Sequence, residues 1–290
     1  MKKSVFIISL VFAFRALAVE EQSESRFHLL TSKCEPETAS VLETTPQSPP
    51  LDVDDPGTPG CNRWEINFLT TGDLAKSQNV WELPLLDINY GIGDNIQLKY
   101  EVPLVQTQSQ GSTKSTVGNS RAGVKYMFFE DEQSNVQIAF YPQLDFATPQ
   151  AKNNTNDDPE HKGTITELPI LVSKKLAETP QGDIMLTGNL GFNFSSRPDT
   201  ANSVLAAVGI GMPLMARVAF MGELSSEQAT ARNSENIRED LTKANVGVIG
   251  NLSKAVFLYT SVGQSLASSD GLNHNYVVAG FRILTDGAKE

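Results

Sequence analysis

The sequence predicts an all-β fold: an antiparallel transmembrane β-barrel of about twelve strands, preceded by an irregular acidic N-terminal segment. Three observations predict it. The N-terminus has the layout of an export signal, the body consists of period-two segments longer than the strands of most soluble domains, and the connections between them alternate between short and long.

The N-terminus sets the compartment. Lys2 and Lys3 precede an apolar run from Val5 to Phe14, and Ala16-Leu17-Ala18 supplies small residues at the end of it. This is the pattern of a cleavable secretory signal peptide over residues 1–18. The run is shorter than the roughly 20 residues that an apolar helix needs to cross a bilayer. Removing residues 1–18 takes away three basic and no acidic residues, so the formal charge of −11 becomes about −14. A surface this acidic excludes nucleic acid as a partner, because phosphates demand Lys and Arg.

Residues 19–61 form the acidic segment. Between Glu35 and Gly60 stand six acids, six prolines and no Lys or Arg. With few large apolar side chains to offset the entropy of ordering, the segment reads as irregular. It is expected either in the periplasm or folded back into a barrel mouth. Cys34 and Cys61 bracket it, and in an exported chain a disulfide is the expectation. The bond would close a loop of about 28 residues, worth roughly 3 kcal/mol of loop entropy. A metal site at the two cysteines lacks further ligands, His28 being the nearby histidine.

From residue 62 to 284 the texture is that of a barrel. Ile96, Leu98, Tyr100, Val102 and Leu104 alternate with Gln97, Lys99 and Glu101; Ile184, Leu186, Gly188 and Leu190 alternate with Thr187 and Asn189. Side chains two apart share a strand face, so each segment carries one apolar and one polar or small face. Twelve segments are predicted, at about 62–72, 80–91, 94–106, 116–129, 134–146, 163–176, 182–195, 202–213, 216–227, 241–252, 254–265 and 274–284. Most exceed the 9–11 residues with which a tilted strand crosses a bilayer. Short links alternate with longer polar ones near 73–79, 107–115, 147–162, 196–201, 228–240 and 266–273. An even strand count with long loops on one rim places both termini at the periplasmic, short-turn side. Trp81, Tyr90, Tyr126, Phe128, Phe129, Phe146, Phe192, Phe194 and Tyr276 gather toward strand ends, as interfacial girdles do. Residues 285–290 form a polar tail.

The charges on strands carry the functional expectation. A charge on the lipid face at mid-bilayer costs about 2–4 kcal/mol, so Glu82, Lys99, Glu101, Arg121, Lys125, Asp145, Glu167, Glu223 and Arg282 are expected in the lumen. Asp87 conflicts with Glu82 in parity unless a bulge near Pro84 reconciles them. Such charges either fill and rigidify a narrow lumen or select a permeating solute. An enzyme would require a serine paired with an oriented histidine. His28 and His161 fall in irregular segments, and His274 starts the last strand beside Tyr276 and Val278. The Asp157, Asp158 and Glu160 group reads as a solvated loop rather than a cation site. The glycine pairs Gly188/Gly191 and Gly209/Gly211 lie inside strands, so they are not nucleotide loops. Neither catalysis nor a cofactor is expected.

Arg63-Trp64-Glu65-Ile66-Asn67, Leu85-Leu86-Asp87-Ile88-Asn89-Tyr90-Gly91, Asn95-Ile96-Gln97-Leu98-Lys99, Val102-Pro103-Leu104 and Arg121-Ala122-Gly123-Val124-Lys125-Tyr126 resemble the opening strands of a transporter-like outer-membrane barrel family, the meta-pathway of phenol degradation proteins. The specific part covers residues 62–146. The resemblance implies outer-membrane lipid and barrel-assembly machinery as partners, and passive passage of a small, hydrophobic or aromatic solute. The chain departs from the usual terminal aromatic by continuing past Phe281-Arg282-Ile283-Leu284. A non-transporting barrel with an adhesive or structural role is the competing expectation.

Overall fold

The computed structural model describes residues 25–27, 34, 52–109, 111–148, 163–198, 200–234 and 236–285. The expected signal peptide, most of the acidic segment, His28, His161, the Asp157/Asp158/Glu160 group and most of the polar tail lie outside these residues. The described residues contain fifteen strands and no helix. β1 is Ser25–Phe27, β2 Trp64–Ala75, β3 Gln78–Ile92, β4 Ile96–Ser109, β5 Ser112–Val117, β6 Ser120–Asp131, β7 Val136–Phe140, β8 Gln143–Phe146, β9 Thr164–Thr179, β10 Gly182–Ser195, β11 Ser203–Met215, β12 Val218–Ala229, β13 Asp240–Asn251, β14 Val256–Ser268 and β15 His274–Leu284.

Counted as staves, these make twelve. β5 and β6 are one stave interrupted at 118–119, and β7 and β8 are one interrupted at Pro142, which lacks an N–H for the ladder. Every neighbouring pair is antiparallel, and β15 closes on β2 from His274↔Ala75 to Leu284↔Glu65. A closed ladder leaves no edge, which is what a sheet in hydrocarbon requires. Among the described residues no helix is long and apolar enough to cross a membrane.

Burial is inverted relative to a soluble protein. Leu190, Val262, Leu98 and Val208 are exposed on the outer face, whereas Asn67, Asn89, Gln97, Thr187 and Ser225 are buried inside. Two small apolar clusters also face inward, Met127 with Ala139, Tyr141 and Leu171, and Ala219 with Met221, Ile249 and Tyr259. Both lie in the half nearer the short turns. Lipid replaces the missing core on the outside.

Three local expectations change. The loops expected near 73–79 and 107–115 are hairpin extensions: β2 and β3 are separated by residues 76–77, and β4 and β5 by 110–111. Polar composition there marks where the strands leave the lipid, not where backbone pairing stops. Tyr276, expected in a girdle, lines the lumen with a buried hydroxyl. Residues 25–27 are not irregular but form β1, which pairs Phe129–Asp131 just below the point where Ile96 begins β4. β1 thereby caps a stretch of β6 backbone that would otherwise be an open edge, and Phe27 packs on Phe129 with ring centroids 5.2 Å apart.

Leu190 sits mid-strand on the exposed face. Leu190→Arg is expected to destabilise the barrel by about 2–4 kcal/mol, measured by equilibrium unfolding from lipid vesicles.

Candidate functional site

The inner wall is built from cross-strand rows. One runs Arg282–Asn67–Asp87–Glu101–Arg121–Asp145, each residue directly opposite the next on six neighbouring strands. The row two residues away runs Glu65–Asn89–Lys99–Gly123–Gln143–Glu167–Asn193. Period-two geometry makes both rows face inward together.

Contacts link the rows into one network. Arg282 donates through Nε to Asn67 (3.0 Å) and pairs with Glu65 at 3.4 Å. Asn67 and Asn89 both donate to Asp87 Oδ2, at 3.0 and 3.1 Å. Gln97 donates to Asn89 at 2.6 Å, Lys99 holds Glu101 at 2.8 Å, and Arg121 lies between Glu101 (3.7 Å) and Glu167 (3.4 Å). Arg197, from the connection after β10, pairs with Asp145. The register of β3 against β4 slips between Glu82 and Leu85. That slip lets Glu82 and Asp87, of opposite parity, both border the lumen.

The opposite wall, β10 to β13, offers Thr187, Asn189, Ala207, Gly209, Ser225, Asn245 and Gly247, with Glu223 and Lys243 among them. Small side chains leave space there, and residues 52–60 of the acidic segment occupy it as an internal strap. Asp52 donates its N–H to Glu223 (2.9 Å), and its carboxylate accepts from Asn245 (2.8 Å) and pairs with Lys243 (2.7 Å). Asn189 clamps the strap backbone twice: its Oδ1 accepts from Asp54 N–H at 2.8 Å, and its Nδ2 donates to Asp54 C=O at 2.7 Å. Across the barrel, Lys125 Nζ donates to the carbonyls of Asp55 (2.8 Å) and Gly57 (3.0 Å) and lies over the Tyr141 ring. Thr58 Oγ1 then donates to Asp94 C=O in the β3–β4 turn. The strap thus descends from mid-lumen to the short-turn rim before entering β2. Val53 is only 2% exposed.

The strap is also covalently closed. Cys34 and Cys61 form a disulfide. Asn62 donates its backbone N–H to Gly91 C=O at 3.1 Å beside the bond.

Of the nine charged residues expected in the lumen, Glu82, Lys99, Glu101, Arg121, Lys125, Glu167 and Arg282 border its main cavity. Asp145 is held by Arg197, and Glu223 is bound to the strap. The uncharged amides Asn67, Asn89, Gln97, Asn189 and Asn245 carry much of the network without being among the charges expected there, and their inward parity is the signal that the sequence holds. Lys243, Glu227 and Asp73 also border the cavity, and each lies near a strand end. At the long-loop rim His274 is held through both ring nitrogens, by Asp73 at 2.8 Å and Asp270 at 2.9 Å. Desolvation alone would raise Asp270, but bonds from Ser268, the Leu272 amide and His274 hold its carboxyl at about 2. With both nitrogens on carboxylates, His274 is not placed as a base for serine. Among the described residues no group of His, Cys, Asp and Glu is arranged to hold a metal ion.

No family model matches the sequence, and no curated protein matches it. Solved structures do. An outer membrane channel from Pseudomonas putida F1 superposes with a TM-score of 0.62 at 12% identity, over 81% of this chain and all of that one. The NanC porin superposes with a TM-score of 0.53 at 9% identity, over 75% of this chain and 98% of that one. The fold is that of outer-membrane β-barrels. At these identities the likeness extends to the fold, and the phenol-degradation family name is not carried over.

Charged-donor hydrogen bonds contribute about 1.5–3 kcal/mol each. Lys125→Met removes two from the strap and should raise amide exchange at Asp55 and Gly57 by about tenfold or more, read by hydrogen–deuterium exchange mass spectrometry.

Proposed function

We propose that the protein is a passive outer-membrane channel for a small polar solute, with its short-turn rim toward the periplasm. The observation that carries this reading is one cavity of about 1210 Å³ bordered by residues of both rims, Asp73 at the long-loop end and Asp94, Lys254 and Thr285 at the short-turn end. Water-filled space that reaches both ends of a membrane barrel is a path, and the strap narrows it without filling it. The fold shared with an outer membrane channel and a porin supports the same reading.

The wall favours a polar solute over the hydrophobic or aromatic one implied by the sequence resemblance. Amides and charged groups make up the two rows apart from Gly123, whereas two of the four aromatic rings at the cavity, Tyr141 and Tyr276, already lie under Lys125 and Lys243.

Seven of the nine expected charges act here as pore lining, and Lys125 and Glu223 anchor the strap. Channels that are narrowed by an internal segment conduct weakly until the segment is loosened. The purified chain in planar bilayers should show small, discrete conductance steps. The double variant Asn189→Ala with Lys125→Met should enlarge them, because it removes four strap hydrogen bonds from two sides of the lumen. Absence of both conductance and solute flux into proteoliposomes would reject the channel and favour the non-transporting barrel.

A further inference from the structure

The cavity carries an excess of acid. Among the charged side chains that border it, eleven are carboxylates and seven are cationic. Five of the seven cations stand on wall strands and are committed to partners inside the chain, Lys99 to Glu101, Arg121 to Glu101 and Glu167, Lys243 to Asp52, and Arg282 to Glu65, while Arg63 and Lys254 stand at the short-turn rim. Lys125 is committed to strap carbonyls. Carboxylates exist, in contrast, whose hydrogen bonds come from neutral groups. Glu82 accepts from the Thr71 hydroxyl at 2.7 Å, and Glu227 accepts from the Asn193 amide at 2.9 Å. Neutral donors orient a carboxylate without supplying a hydrogen-bonded countercharge.

A second observation does not depend on charge. Gln143, only 5% exposed, borders the cavity between Gly123 and Glu167, and its Oε1 has no hydrogen-bond partner. Asp87 Oδ1 is orphaned in the same wall. A buried acceptor left unmatched costs about 1–3 kcal/mol, and a donor in the lumen relieves it once the side chain that carries the acceptor turns toward the cavity it borders. The orphaned nitrogen donors of this wall, Arg121 Nε and Arg197 Nε, belong to guanidinium groups whose other nitrogens already face carboxylates, and the orphaned Tyr276 hydroxyl can accept as well as donate.

We propose that the pore passes cations in preference to anions and that its solute carries an ammonium or guanidinium group. The proposal rests on the channel reading above and names the charge class of what passes. Uncommitted carboxylates concentrate cations, and unmatched acceptors reward N–H donors.

Reversal potentials in neutral-lipid planar bilayers under a KCl gradient test it with the full chain. A potassium-over-chloride permeability ratio of about 5 or more is expected from an unbalanced field in a narrow lumen. Replacing potassium by guanidinium should leave the current cation-carried. The double variant Glu82→Gln with Glu227→Gln keeps an acceptor at each place, and heat-modifiable gel migration reports whether it folds. Its ratio should fall toward unity while conductance persists. Conductance with a ratio at or below unity in the unaltered chain overturns the proposal and leaves the channel reading standing; so does a ratio that the folded double variant leaves unchanged. No conductance in either salt overturns both.

Discussion

The structure depends on one constraint: in hydrocarbon every backbone N–H and C=O must be paired within the protein. The pairing of β15 with β2 satisfies it by removing the sheet's edges. The rest follows. Once the sheet is closed, its two faces meet different solvents, lipid outside and water within. Alternation along each strand then sorts Leu98 and Tyr100 outward and Gln97 and Lys99 inward. β1 obeys the same constraint on a smaller scale, covering backbone of β6 where β4 has not yet begun.

Closing the barrel solves the backbone and creates a second problem inside it. An interior too polar to pack as a core must be hydrated or internally bonded, since unpaired buried polar groups are costly. The chain uses both means. On the β15–β9 side, charges and amides pair across strands in two rows. On the β10–β13 side small residues leave room, and the strap fills it with backbone amides and carbonyls that Asn189, Glu223 and Lys125 satisfy. A segment with no apolar stripe can be ordered here because its partners are hydrogen-bonding side chains rather than a hydrophobic surface. The Cys34–Cys61 bond closes the loop that contains it, which reduces the freedom the segment gives up when it enters the lumen.

How much of this was legible varies with the range of the interaction. Strand number and facing are set by local period, so the twelve staves fall close to where alternation places them. Strand ends were less legible. Polar runs such as Thr107–Ser109 look like loop, yet they continue as paired strand outside the lipid, where water accepts their side chains and the ladder still pays no edge penalty. The inward position of Glu82 together with Asp87 was visible as a parity conflict, and the slipped register between Glu82 and Leu85 resolves it.

The sequence by itself determined the closed, inside-out barrel, because a period of two over twelve bilayer-length segments admits few other solutions, and it placed the charges of the mid-strand rows away from lipid, because lipid rejects them. Tertiary structure alone decided where residues 52–60 of the acidic segment go. Its composition says that it lacks a core of its own, but Asp52 meets Glu223, Asn245 and Lys243 at sequence separations near the length of the barrel itself. No local pattern encodes such contacts. They exist because closing the sheet brings distant small-residue strands around an unfilled space of matching polarity.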